Sequence, residues 1–151
     1  MKLIVACDLI GGIGYQNKLP WSSLEDDLKR FKILTTLQTI VMGRNTWDSL
    51  PRKPLSNRTN IVISTQSLNL PESVIQIKNL DELKNYNDIW IIGGSQLINS
   101  CWNLIDTIHL TTALSKYTCD CYINLLQLEN EFVKISHEDL SDNTYSVWKR
   151  K

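Results

Sequence analysis

The sequence predicts an α/β fold: a single mostly parallel, twisted sheet flanked by helices and ending in an antiparallel C-terminal hairpin. Three observations carry this. Short apolar runs rich in β-branched residues recur as LIVAC (3–7), TIVM (39–42), NIVIS (60–64), VIQI (74–77) and IWII (89–92), without inside–outside alternation. A strand apolar on both faces is buried on both, as in a parallel sheet covered by helices. Helical patterns fall between the runs, at 23–36, 44–50, 79–86 and 94–103, and strand–helix alternation belongs to the same class. The last third changes character. Segments 107–114, 132–140 and 145–150 alternate, and Ser141, Asp142 and Asn143 make a tight-turn sequence between the last two.

Taken in order, the first element is MKLIVACDLIGG, where Lys2 precedes an apolar run as in a signal peptide. Asp8 interrupts that run too early and no small-residue cleavage site follows, so it reads as a buried first strand. The loop 9–23, glycine-rich at its start and ending in LPW, has the make-up of a lid that excludes water. Trp21 reads equally well as core. The next helix opens with three acids, Glu25, Asp26 and Asp27, and Ser22 with Glu25 fits a capping box. With Leu24 at the origin of a helical wheel, Phe31 falls at about 340° and Leu34 at about 280°. Asp27 lies between them at about 300°, while Asp26 is at about 200°, beside Arg30 and Ile33, and Glu25 at about 100°. Asp27 is therefore the acid on the apolar face. Burial would raise its pKa, but on this helix alone a wet edge position is as good a reading as a chemical one.

Beyond the strand 39–42, Gly43 leads into a helix start where Arg44 and Thr46 are placed to meet phosphate. Ser64 and Thr65 follow the end of the next strand. The helix 79–86 carries a second capping box, Asn79 with Glu82. At 90–97 a strand runs through Gly93 and Gly94 into a helix, and two glycines there let backbone approach a ligand. Any one of these junctions is commonly just a turn. Three in one small domain suggest an extended, multiply phosphorylated nucleotide across the carboxyl ends of the strands. The GGIG at 11–14 lacks the spacing of a dinucleotide fingerprint.

Composition bounds the rest. The 151 residues make one expected domain, 1–151, with 42% hydrophobic and 21% charged residues, as in ordinary globular proteins. Sixteen basic residues balance sixteen acidic ones, so no overall field recruits nucleic acid or an anionic membrane. No segment is long enough to span a bilayer, and a cytoplasmic monomer is the expectation. The four cysteines match no zinc pattern, and neither His109 nor His137 forms a ligand pair with them. No metal site is expected, and the thiols read as reduced and structural.

VACDLIGGIGYQNKLPW, SLEDDLKRFK, VMGRNTWDSL, NIVIST and IIGGSQL, in this order and spacing, resemble the dihydrofolate reductase family nearly end to end. Each piece is weak alone; the combination is specific. The resemblance implies NADPH-dependent reduction of dihydrofolate, with hydride passing to pterin C6 and a proton to N5. Asp27 would then hold the pterin and promote its protonation, with Trp21 and Leu19 as catalytic-loop residues. Leu28, Phe31, Leu50, Leu55 and Ile92 would form apolar walls. Backbone at Ile4, Val5 and Ala6 and the Thr111 hydroxyl would complete the pterin's hydrogen bonds, and Arg58 would pair with the glutamate tail.

For the cofactor, the resemblance implies that Arg44, Ser64 and Thr65, with Ile63 and Lys78 nearby, hold the adenosine end and its 2′-phosphate. Gly43, Asn45, Thr46 and the turn Gly93, Gly94, Ser95, Gln96, Leu97 would carry the pyrophosphate. Ala6, Ile13, Gly14 and Leu19 would line the nicotinamide, and Asn17 and Ile92 would be further cofactor contacts. The family carries a cis bond between the two glycines. Four positions depart from the family pattern: Gln96 where arginine is common, Ile98 for tyrosine, Asn45 for histidine and Cys119 for glycine. These departures bear on rate and cofactor affinity and leave the reaction class alone. The rival readings are a reductase of another pterin or an aminopyrimidine, and a silent NADPH- or folate-binding module.

Overall fold

The computed structural model describes residues 1–21 and 24–151. In chain order the strands are β1 (Lys2–Cys7), β2 (Gly12–Gly14), β3 (Thr39–Gly43), β4 (Thr59–Ile63), β5 (Ile75–Ile77), β6 (Ile89–Gly93), β7 (Thr107–Ala113), β8 (Cys121–Tyr122), β9 (Phe132–Asp139) and β10 (Asn143–Arg150). The helices are α1 (Glu25–Thr35), α2 (Arg44–Ser49), α3 (Ser95–Cys101) and α4 (Leu125–Glu131), with 3₁₀ segments at Leu80–Asn85 and Trp102–Leu104.

Eight strands form one sheet in the order β5-β4-β3-β6-β1-β7-β10-β9. Pairing is parallel from β5 through β7 and antiparallel on both sides of β10. Successive residues of the central strands go to opposite faces. Leu3, Val41, Ile61 and Ile91 join one buried cluster, while Ile4, Ile40, Val62 and Trp90 join the other. That is the period-2 geometry of a strand, and it explains why the runs carry no polar alternation. Each fully buried Ile, Leu or Val contributes about 1.5–3 kcal/mol, so the two faces hold the sheet between its covering layers. Because these strands are parallel, Cys7, Gly43, Ile63, Gly93 and Ala113 all end along one edge of the sheet. Among the described residues no helix is long and apolar enough to cross a membrane.

Several local expectations change. Helix α1 begins at Glu25, with Leu24 in the N-cap position and no side-chain cap there. The capping box expected of Ser22 with Glu25 falls on Ser22, which lies outside the described residues. Leu24 is instead an apolar anchor, buried with Trp21 and Ala113. The helix expected at 79–86 is a 3₁₀ segment, although its capping box forms as read: Glu82 N–H donates to Asn79, and the Asn79 and Lys78 N–H groups donate to the Glu82 carboxylate. The helix expected at 94–103 tightens into a 3₁₀ turn after Cys101. Helix α4 was not expected. Asn124 caps it by accepting from Gln127 N–H at 3.0 Å, and Leu128 anchors it in the core. Strands β2 and β8 pair with each other, tying the 9–21 loop to the segment after β7.

Candidate active site

Asp27 leaves α1 toward the end of β7, where the Thr111 hydroxyl donates to its Oδ1 at 2.7 Å. Burial pushes its pKa up; the Thr111 bond and the nearby Arg30 charge pull it down without reversing the rise. Glu25 and Asp26, two and one residues earlier, are exposed. Phe31, Leu50, Leu55 and Ile92 all pack against the cluster that contains Ile4, so the expected apolar walls do converge. Leu28, the remaining expected wall residue, is 52% exposed. Val5 and Ala6 are half-buried on β1, whose register pairs Ala6 with Thr111. Arg58 lies over Phe31, its guanidinium 5.8 Å from the ring centroid, with Nη1 donating to Thr35 Oγ1 at 3.1 Å and Nε to Ser56 O at 2.9 Å.

The strand-end turns converge as well. A side chain at Gly93, whose φ is +135°, would meet Thr46 Oγ1 at 3.2 Å, and one at Gly94 would meet the same oxygen at 3.4 Å. At Gly43 it would come within 3.9 Å of Gly94 N. The bond Gly93–Gly94 is cis. Gly43 leads directly into α2 and Ser95 opens α3, where Leu97 and Ile98 turn into the core. Asn45 and Gln96 are exposed.

At the start of α2, Arg44 Nη1 donates to Gln66 Oε1 in the loop after β4, and its Nε lies 3.5 Å from Asp48. Gln66 N–H donates to Ser64 Oγ at 3.2 Å. Gln76 on β5 fixes this loop from the side. Its amide donates to Ser64 O and Gln66 O, and it accepts from Leu68 N–H. Half-buried Ile63 ends β4, Thr65 is exposed, and Lys78 follows Ile77, whose carbonyl accepts from Ser64 N–H at 3.0 Å. Arg44, Ser64 and Thr65 thus share one surface, and Gln66 and Gln76, which the sequence reading missed, shape it.

In the loop before α1, Trp21 is buried and meets Tyr117 edge-on at 5.6 Å. Ile13 packs on the core, and Gly14 O accepts from Asp120 N–H at 2.9 Å. Gln16 and Asn17 have left-handed backbone, and Leu19 is 56% exposed. The loop's anchor is Asp8, a second missed residue. It accepts from Ile10 N–H at 3.0 Å, Gly12 N–H at 2.8 Å and Tyr117 N–H at 2.9 Å. Burial alone would raise its pKa, but those donors hold it below the usual carboxylate range. The sequence signal was an acid ending an apolar strand just before two glycines.

Glycines closing on the Thr46 hydroxyl and a desolvated acid bonded to Thr111 lie toward the same edge of the sheet, an arrangement that suits the class of α/β enzymes that take a nucleotide cofactor. A family model described as dihydrofolate reductase matches residues 1–149. The chain belongs to the dihydrofolate reductase family. It is 32% identical to dihydrofolate reductase type 8 of Escherichia coli, covering 100% of this chain and 96% of that one. It is 34% identical to dihydrofolate reductase of Ureaplasma parvum, over 95% and 92% of the two chains. Identity reaches 38% with a bifunctional dihydrofolate reductase-thymidylate synthase of Paramecium tetraurelia, of which the chain spans only 28%. Among solved structures, Enterococcus faecalis dihydrofolate reductase complexed with NADP(H) and RAB-propyl superposes with a TM-score of 0.87, at 27% identity over 99% of this chain and 95% of that one.

Proposed function

We propose that the chain reduces 7,8-dihydrofolate to 5,6,7,8-tetrahydrofolate with NADPH, and that Asp27 is the acid on which the reaction depends. The observation that carries this reading is the placement of Asp27: desolvated, bonded to Thr111, and on the same helix as Phe31, which packs with Ile4, Leu50 and Ile92. A carboxylate there can take a cyclic amidine face to face through paired hydrogen bonds, the pattern that a pterin's 2-amino group and N3 offer. Ile4 to Ala6 and Thr111 supply the remaining polar contacts, and Leu28 and Leu55 extend the apolar wall. Arg58, turned over Phe31, is the partner for the substrate's carboxylate tail.

The residues at the strand ends fit NADPH. The glycine cradle against Thr46 leaves room that a Cβ would fill, and Gly43, Asn45, Ser95, Gln96 and Leu97 frame it for the pyrophosphate. Arg44, Ser64 and Thr65, with Ile63 and Lys78 beside them, suit the 2′-phosphate end. Ala6, Ile13, Gly14, Asn17, Leu19 and Ile92 border the nicotinamide side. When bound, NADPH supplies the hydride that reaches pterin C6, and N5 takes a proton. The chain's own work is to stack two rings, keep water off them with the Trp21 loop, and hold the proton supply at Asp27. We read the working unit as a cytoplasmic monomer, and its mass in solution tests the oligomeric part.

The test is loss of absorbance at the NADPH band on adding dihydrofolate to purified protein, against controls lacking each component. Dihydrofolate-dependent loss is the expected result. Binding of both ligands without loss would make the chain a silent module. Arg44→Ala should weaken NADPH by about tenfold and NADH hardly at all, and a uniform loss would take Arg44 out of the 2′-phosphate site.

A further inference from the structure

Arg30 lies one turn along α1 from Asp27, and its contacts are specific. Its guanidinium carbon sits 3.9 Å from the centroid of the Tyr145 ring, and Nη1 donates to Thr111 Oγ1 at 3.4 Å. The same hydroxyl bonds Asp27 at 2.7 Å. A hydroxyl has one proton and two lone pairs. With Arg30 donating into Thr111, that proton goes out to Asp27, which receives it as an acceptor.

The ring beneath Arg30 is itself fixed. Tyr145 on β10 bonds through its hydroxyl to His109 Nδ1 at 2.5 Å, and His109 on β7 packs edge-on against Trp90 at 4.9 Å. The charges facing this group come from each neighbouring element. Lys2 on β1 lies 5.0 Å over the Trp90 ring. Glu138 on β9 shares with Asp26 and Lys29 an open cleft of about 430 Å³ on the outer side of Arg30 and Tyr145. Burial, with the positive charges of Lys2 and Arg30, pushes His109 down to about 4, so it is neutral at physiological pH. Burial pushes Tyr145 up, so it is neutral too. A guanidinium does not lose its proton in proteins. The permanent charge touching Asp27's hydrogen-bond partner is therefore that of Arg30.

We propose that Arg30 is a positioning residue for the reduction: laid on Tyr145 and donating to Thr111, it fixes the hydroxyl that Asp27 accepts from and holds positive charge beside that carboxylate. This rests on the reading of Asp27 given above. A lysine would supply the charge without the planar stack or the directed N–H, so Arg30→Lys should restore only part of the effect.

The experiment is an NMR titration of the ¹³C-labelled Asp27 carboxyl in the ligand-free protein, paired with the pH profile of kcat at saturating NADPH and dihydrofolate. In Arg30→Gln the Asp27 midpoint should rise by about one pH unit, because an opposite charge is removed from a half-buried site. The Asp27-dependent limb of the kcat profile should move with it in the same direction. The KM for NADPH should stay within about twofold, since no cofactor contact is altered. Tyr145→Leu, which removes the ring, should raise the midpoint as well, and Tyr145→Phe, which keeps it, should restore the wild-type value. An Asp27 midpoint that stays put in folded Arg30→Gln overturns the proposal. If Arg30→Gln does not fold, an unmoved midpoint in Tyr145→Leu does the same. A midpoint that moves while the rate limb stays fixed supports Arg30's hold on Asp27 and overturns Asp27 as the acid of the reaction.

Discussion

Asp8 and Asp27 are both carboxylates drawn out of water near the carboxyl edge of the same sheet, and they respond in opposite ways. Asp8 receives three backbone N–H groups and its pKa falls; Asp27 receives one hydroxyl and its pKa rises. Burial penalises charge in both, so the number of donors decides the sign. Three donors more than offset the desolvation, and the acid becomes a permanent clamp joining Gly12 in the loop to Tyr117 after β7. One donor leaves the acid ready to take a proton. An acid that structure satisfies fully is unavailable for chemistry, and one left short is available.

The comparison breaks most visibly in turnover. Asp27→Asn should cut kcat at neutral pH by about a hundredfold or more, with NADPH affinity nearly unchanged by fluorescence titration. Equal loss of both would mean that Asp27 is also a structural acid. Asp8→Ala should leave three N–H groups without their acceptor and cost about 3 kcal/mol of stability in urea denaturation. A loss below about 1 kcal/mol would show that water replaces the carboxylate.

A milder probe of the clamp is Gly12→Ala, whose new Cβ would collide with the Cys119 side chain. Overpacking of this kind costs about 1–3 kcal/mol, and adding Cys119→Gly should return most of it. Failure of that rescue would place the strain elsewhere in the loop.

The smallest effect is in pH dependence. Asp27 binds its proton more tightly folded than unfolded, so its contribution is most favourable at low pH and is lost as pH rises through the folded pKa. Asp8 has the reverse sign: its stabilisation is present above the unfolded pKa and is lost as pH falls through the lowered folded value. Asp27→Asn should therefore raise the neutral-pH melting temperature by about 2 °C and close that gap in acid. A fall instead would show that the Thr111 bond outweighs desolvation.

What could be read in advance was what is local. Buried strands announce themselves because Ile40, Val41 and Met42 must be apolar on both faces. The junctions at Gly43 and Gly93–Gly94 are written in consecutive residues, and the wheel separated Asp27 from Asp26 because one helix turn suffices to do so. The missed features depend on distant partners. Asp8 takes Tyr117 from 109 residues away, and Arg30 meets Thr111 from 81 away. Nothing in either segment records the meeting. Helix α4 was hidden because its seven residues run straight into β9, so the helical period had too little length to show. Strands β2 and β8 are shorter still.

Gln76 gives the molecule a handle away from its charges. The loop 64–68 is shaped by an uncharged amide on the neighbouring strand, bonded to Ser64 O, Gln66 O and Leu68 N–H. The discrimination assigned to Arg44, Ser64 and Thr65 therefore depends on a frame they do not build. Redesigning this chain to run on a dephosphorylated cofactor is a two-strand problem. Exchanging the charged surface alone would leave the old loop outline in place, and β5 has to be rewritten along with β4.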